Sequence, residues 1–185
     1  MHIKNLIANT VFLGLNICSI LLQTREKKIA KILIKESIKV ATAESCTGGL
    51  VSSRLTDISG SSSYIFQNLV TYANEAKEEL LGVKKETIEK YGVVSEEVAL
   101  EMVNGLLNKY NCDVAISTTG IAGPTGGSDR KPVGLICIGI GSKDMQKTYS
   151  YKANPFLYRR IMKYAFSNKA LDLFLDFLNS RNKHN

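Results

Sequence analysis

The chain has 185 residues, 44% apolar and 22% charged, with a net charge of +7. That length suits one ordinary domain whose core needs no metal or disulfide staple, and the balance excludes a disordered, collagenous or multi-span membrane chain. The charge is uneven, +5 over residues 1–40, −4 over 41–141 and +6 over 142–185, and the basic excess is scattered along helical pieces with few aromatic partners, which fits solvated faces better than a nucleic-acid surface.

Residues 1–24 stand apart as an apolar extension of unassigned role. Lys4 precedes an apolar stretch from Leu6 to Leu22, broken by Asn9, Thr10, Asn16 and Ser19. It is too polar and short for a transmembrane helix and lacks a small-x-small cleavage site. Leu15-Asn16-Ile17-Cys18 resembles a lipoprotein box only loosely. A leftover or misread extension, or an extra packing helix, is preferred over export or lipidation, and the expected location is the cytoplasm. The domain proper is expected over 25–182.

From Arg25 the pattern is regular. Ile29, Ile32, Leu33 and Ile34 give a helix with one apolar face. Lys39 to Ala43 reads as a strand leading into Glu44-Ser45-Cys46-Thr47-Gly48-Gly49, and a helix follows from Gly49 to Thr56. Gly60–Ser63 is a loop. Phe66 to Ala73 reads as a strand, and Asn74 caps a helix ending at Leu81-Gly82. A short helix follows over Lys85–Tyr91. Ser95 caps the next, with Glu96 and Glu97 in its first turn. Asp113 to Thr118 is a buried strand followed by the loop Thr119–Gly127. Val133–Ile140 and Gln146–Lys152 form a hairpin, and the last helix runs from near Phe156 to Ser180. Interleaved strands and helices imply a three-layer α/β/α sandwich. Its sheet is expected to be mixed and mostly parallel, with one antiparallel strand.

The two histidines, His2 and His184, lie at the chain ends, which disfavours Ser-His-Asp and Cys-His triads and histidine-based zinc sites. No two of Cys18, Cys46, Cys112 and Cys137 make a CxxC pair, so they read as free thiols in a reducing compartment. Two Gly-rich loops follow strands, where ligands bind in open α/β sheets. Neither is a P-loop or a dinucleotide fingerprint. Ser45 falls at a strand-to-helix turn, with the N–H groups of Thr47, Gly48 and Gly49 as candidate oxyanion donors. It is either a nucleophile or, with Thr47, a helix cap. Cys46 is a rival nucleophile without a histidine to ionise it, and Ser45 is preferred. A serine nucleophile without histidine calls for a lysine base. Lys77 is one candidate, although beside Glu78 and Glu79 its residues alone read first as an exposed lysine on a charged helix.

Ala43-Glu44-Ser45-Cys46-Thr47-Gly48-Gly49-Leu50, Tyr72-Ala73-Asn74-Glu75-Ala76-Lys77, Leu81-Gly82-Val83, Tyr91-Gly92-Val93-Val94-Ser95, Thr119-Gly120-Ile121-Ala122-Gly123-Pro124-Thr125-Gly126-Gly127 and Lys131-Pro132-Val133-Gly134 occur in that order. Over about residues 25–180 the chain resembles the CinA C-terminal domain family, whose stand-alone members are nicotinamide-nucleotide amidases. The resemblance implies hydrolysis of nicotinamide mononucleotide to nicotinate mononucleotide and ammonia, a Ser45 nucleophile and a Lys77 base. It implies a homo-oligomer that needs no metal or redox cofactor. Thr47 and Gly48 are expected at the oxyanion. Tyr72 and Asn74 are expected to orient the amide or the lysine, and Thr119, Gly120, Gly123 and Arg159 to receive phosphate or ribose. A non-catalytic nucleotide- or partner-binding module of the same family is the alternative.

The family's last helix often opens with Gly-Asp-Arg and carries a second Arg one turn later. Here the stretch reads Leu157-Tyr158-Arg159, with Lys163 at the second position. Lysine loses bidentate geometry there. The 24-residue extension is too short for the large N-terminal domain of full-length CinA proteins, so that domain's pyrophosphatase-type activity is not expected.

Overall fold

A computed structural model describes residues 2–181, except for the side chains of His2 and residues 15–22. Thirteen elements follow one another, with a short 3₁₀ turn at Ser61–Ser63 among them. The helices are α1 (His2–Leu22), α2 (Thr24–Lys35), α3 (Leu50–Thr56), α4 (Asn74–Leu81), α5 (Lys85–Tyr91), α6 (Glu96–Lys109) and α7 (Arg159–Arg181). The strands are β1 (Val40–Glu44), β2 (Ile65–Val70), β3 (Val114–Gly120), β4 (Leu135–Gly141) and β5 (Gln146–Lys152). They form one sheet in the order β2-β1-β3-β4-β5. Strand β1 pairs in parallel with β2 and β3, while β4 runs antiparallel to both β3 and β5. Only β4 is therefore reversed, as the hairpin reading implies.

Helices cover both faces because the central strands are apolar on both sides. Val114 and Ile116 of β3, with Ile136, Ile138 and Ile140 of β4, pack under α2, α3 and α7. Ala41 and Ala43 of β1 and Ala115 of β3 pack under α4 and α6. The small residues let α6 approach closely, since a Cβ at Gly139 of β4 would lie 2.5 Å from the Ala99 carbonyl oxygen. Helix α6 starts as expected, with Ser95 Oγ accepting from the Val98 N–H at 3.3 Å. Glu96 does more than face the helix dipole: its carboxylate accepts from Thr148 and Ser150 of β5, each at 2.7 Å.

Several boundaries differ from expectation. Strand β1 extends through Glu44, whose backbone pairs with Val70 and Thr118. Strand β2 stops at Val70 instead of Ala73, and Ala73, not Asn74, precedes α4, with no side-chain cap. Helix α7 starts at Arg159, three residues after Phe156. Residues 2–22 form helix α1, whose Ala8 and Phe12 pack on the main core. Among the described residues no helix is long and apolar enough to cross a membrane. Cys18 lies outside the described side chains; Cys46, Cys112 and Cys137 are free and buried.

Candidate active site

The turn after β1 is built around Glu44, a buried carboxylate at the end of the strand. Its two oxygens accept from the Val51 N–H (3.0 Å), the Ser52 N–H (2.7 Å) and the Ser52 hydroxyl (2.5 Å). These N–H groups open α3 and have no partner inside the helix. Glu44, rather than Ser45 or Thr47, thus caps α3 and takes up two of the N–H groups at its start. Thr42 Oγ1 lies 2.6 Å from Ser52 Oγ and 2.9 Å from Asn68 Oδ1, which ties the cap to β2.

Ser45 is thereby released from capping. Its N–H donates to the Thr118 carbonyl at 3.0 Å, extending the β1–β3 ladder by one residue. Only 9% of the residue is exposed. Gly48 N–H donates to the Ser45 carbonyl at 3.1 Å, so it closes the turn and is not a free oxyanion donor as expected. The N–H groups of Cys46 and Thr47 take part in none of these bonds. Gly48 has φ +61°, and a Cβ there would lie 2.9 Å from Lys163 Nζ, so the glycine admits the ammonium of α7 against the turn.

Lys77 is fully buried. Its Nζ lies 3.3 Å from Ser45 Oγ. It also reaches the carbonyls of Thr71 (2.8 Å), Tyr72 (3.2 Å) and Ala73 (3.4 Å). This explains the early end of β2: the carbonyls that would extend the strand turn to face the lysine. Burial pushes the Lys77 pKa below its ordinary 10.5 and outweighs the smaller upward pull of Cys46 and Glu75. A neutral amine donates two protons to carbonyls and offers its lone pair to the serine hydroxyl. The exposed-helix reading of Lys77 fails because its stem and amine point inward under the Thr71–Ala73 segment.

Cys46 is also buried, and its thiol is pushed up to about 12, first by burial and then by Glu44. A thiol held protonated in that way is a poor nucleophile. Its sulfur packs at Gly120, where a Cβ would approach it to 3.0 Å and the Leu135 carbonyl oxygen to 2.7 Å.

Beside this dyad opens a cavity of about 410 Å³, within the range of small-ligand sites. Cys46, Tyr72, Gly120, Gly123 and Arg159 line it, and Val93, Val94, Thr125, Ser128 and Lys131 complete the wall. Ser45 and Lys77 border it through their neighbours Cys46 and Tyr72 and are not themselves in the lining. Arg159 spans the mouth, donating from Nη1 to the Gly123 carbonyl and from Nη2 to the Tyr72 hydroxyl, both at 2.7 Å. Lys131 Nζ donates to the Tyr91 carbonyl.

The Thr47 hydroxyl is buried 2.7 Å from Thr118 Oγ1 and supports the turn from behind, so only its N–H is left for the expected role. Two expected contributors stand elsewhere. Thr119 Oγ1 donates to the Val93 carbonyl at 2.8 Å and fixes the wall instead of facing it. Asn74 is exposed on the first turn of α4, outside the lining. Sequence reasoning missed Glu44 and Lys131, although both lie inside motifs that carry the family resemblance. An acid closing a buried strand just before a helix is a signal that could have identified the cap. Among the described residues no three His, Cys, Asp or Glu converge as a metal site.

A model of the CinA C-terminal domain matches residues 22–178. A CinA-like protein of Chloroherpeton thalassium is 49% identical over 161 residues, 84% of this chain and 37% of its own length. One of Chlorobium limicola is 50% identical over 133 residues, 72% of this chain and 31% of its own. The chain therefore spans about a third of the curated relatives it matches. Solved structures are covered almost whole. A competence/damage-inducible protein of Agrobacterium tumefaciens superposes with a TM-score of 0.79 at 36% identity, covering 84% of this chain and 95% of that one. A CinA superfamily protein of Escherichia coli gives 0.75 at 31% identity, covering 83% and 90%. By the matched residues, the shared identity and the shared fold, the chain belongs to the CinA C-terminal domain family.

Proposed function

We propose that the protein is an amidohydrolase of nicotinamide mononucleotide, working by a Ser45–Lys77 dyad in the cytoplasm as part of pyridine-nucleotide salvage. The observation that carries this reading is a fully buried lysine amine 3.3 Å from a serine hydroxyl at the edge of a cavity, with no histidine between residues 2 and 184. Neutral Lys77 accepts the proton as Ser45 Oγ attacks the carboxamide carbon. The developing oxyanion is received by backbone N–H groups of the turn, with Cys46, Thr47 and Gly49 the donors not taken by the bonds of Gly48 and Glu44. Collapse breaks the C–N bond, and Lys77 returns the proton to the departing ammonia. Water, deprotonated by Lys77, then hydrolyses the ester and releases the carboxylate and Ser45. Arg159, with Tyr72 and the Gly120–Gly123 wall, takes the phosphate and ribose. A homo-oligomeric assembly belongs to the same reading.

The test is ammonia release from nicotinamide mononucleotide by the purified protein, beside Ser45→Ala and Lys77→Ala. Activity in the parent is expected to fall by at least about a thousandfold in each variant. Undiminished turnover in Ser45→Ala removes the proposed nucleophile. A folded parent that binds the nucleotide without releasing ammonia supports the binding-module alternative.

A further inference from the structure

Helix α1 lies almost wholly outside the stretch that matches the family, yet it contacts the segment just ahead of Arg159, which lines the cavity. The contact is made by Asn9, a polar residue only 3% exposed on the inner face of α1. Its Oδ1 accepts from the Tyr158 N–H at 2.8 Å, and its Nδ2 donates to the Phe156 carbonyl at 3.1 Å and to the Asn5 carbonyl one turn back. Both ends of the amide are thus used, and both flanks of buried Leu157 are held. The next residue is Arg159, the first of α7 and the group that spans the cavity mouth. A helix start leaves N–H groups without intrahelical partners, and Tyr158, just ahead of it, has no short side-chain oxygen to cap it. The amide comes instead from α1, across 149 residues of sequence.

We infer that Asn9 is a positioning residue: α1 fixes the start of α7 and, through it, the Arg159 bridge over the cavity. Loss of the amide frees the Phe156 carbonyl and the Tyr158 N–H and lets the guanidinium leave the Gly123 carbonyl and the Tyr72 hydroxyl. Ser45 and Lys77 are held by other elements and keep their geometry. The effect therefore falls on substrate binding and not on the chemical step.

The test has two arms, and only the kinetic one rests on the amidase reading. In the first, side-chain guanidinium resonances are compared in the parent, Asn9→Ala and Asn9→Leu. The Arg159 signal is expected to lose its restriction in both variants, while that of Arg54, buried against Glu26, persists and reports an intact fold. In the second, KM for nicotinamide mononucleotide is expected to rise about tenfold in both variants with kcat within about twofold. In an Arg159→Ala background the Asn9 substitutions should add nothing, because both changes act through one group. An unchanged Arg159 resonance, rescue by Asn9→Leu, or full additivity with Arg159→Ala would overturn the inference. If the parent releases no ammonia, the amidase reading fails and the resonance comparison alone decides the role of Asn9.

Discussion

Lys77 is surrounded by three carbonyls and a hydroxyl, with no carboxylate among its hydrogen-bond partners. Carbonyl dipoles stabilise an ammonium less than an ion pair does, so burial dominates and the pKa falls below 10.5. Only the neutral amine can take the Ser45 proton. On the amidase reading, kcat/KM is expected to rise with pH along a limb of unit slope, with an apparent pKa below 10.5. A rate profile from acid to alkaline pH checks this, and a flat profile removes Lys77 as the base. Ser45 and Lys77 were singled out together only through the motifs that carry the family resemblance, and their environment was not legible in the sequence. Burial of an amine beside Glu78 and Glu79 depends on where the Thr71–Ala73 carbonyls turn, which is a tertiary fact. Glu44 escaped for the same reason, because its capping partners are set by the sharpness of the turn.

Helices α2, α3 and α7 are tied together by buried charge as well as by their apolar faces. Arg54 of α3 donates from Nε to Glu26 of α2 at 2.7 Å, and from Nη1 to Ser167 Oγ and Asn168 Oδ1 of α7, each at 2.8 Å. Removing one partner of such a pair strands the other in the interior. Glu26→Ala is therefore expected to cost about 3–5 kcal/mol of stability, read as a lower urea midpoint, while a loss below about 1 kcal/mol would mean that water reaches Arg54. Elements whose own periodicity matches their burial were readable: α2 from Ile29 and Leu33, α6 from Val98, Met102 and Leu106, and the β4–β5 hairpin. Two of the boundaries that failed are set by side chains that bond the backbone there: Lys77, four to six residues on, ends β2, and Asn9, from the far end of the chain, holds the segment before α7. The apolar run of α1 was ambiguous because Ile3, Leu6, Ile7 and Val11 remain exposed while Ala8, Asn9 and Phe12 turn inward, so hydrophobicity does not mark its docked face.

The pH dependence of folding belongs to the whole molecule, because every shifted group contributes at once. Lys77 binds its proton less tightly folded than unfolded, so between its lowered folded pKa and 10.5 the unfolded state holds more protons and stability rises with pH. The thiols act in the opposite sense. Cys46, raised from 9.0 to about 12, and Cys112, raised to about 11, contribute stability that is complete below 9.0 and is lost as pH climbs through the folded values. Glu96, lowered from 4.5 by the Thr148 and Ser150 hydroxyls, contributes only above that range and loses its share as pH falls. Between the lowered folded pKa of Lys77 and 9.0, where the thiols begin to count, Lys77 therefore dominates the slope among the shifted groups of the described residues. The parent is expected to gain stability with rising pH there, by at most about 1.4 kcal/mol per unit. Lys77→Met leaves carbonyls unpaired and so changes the absolute stability by an amount that does not depend on pH, but it removes the titrating group. Its urea midpoint is expected to be nearly flat across the same window, whereas an equal slope in parent and variant would mean that Lys77 does not change protonation on folding.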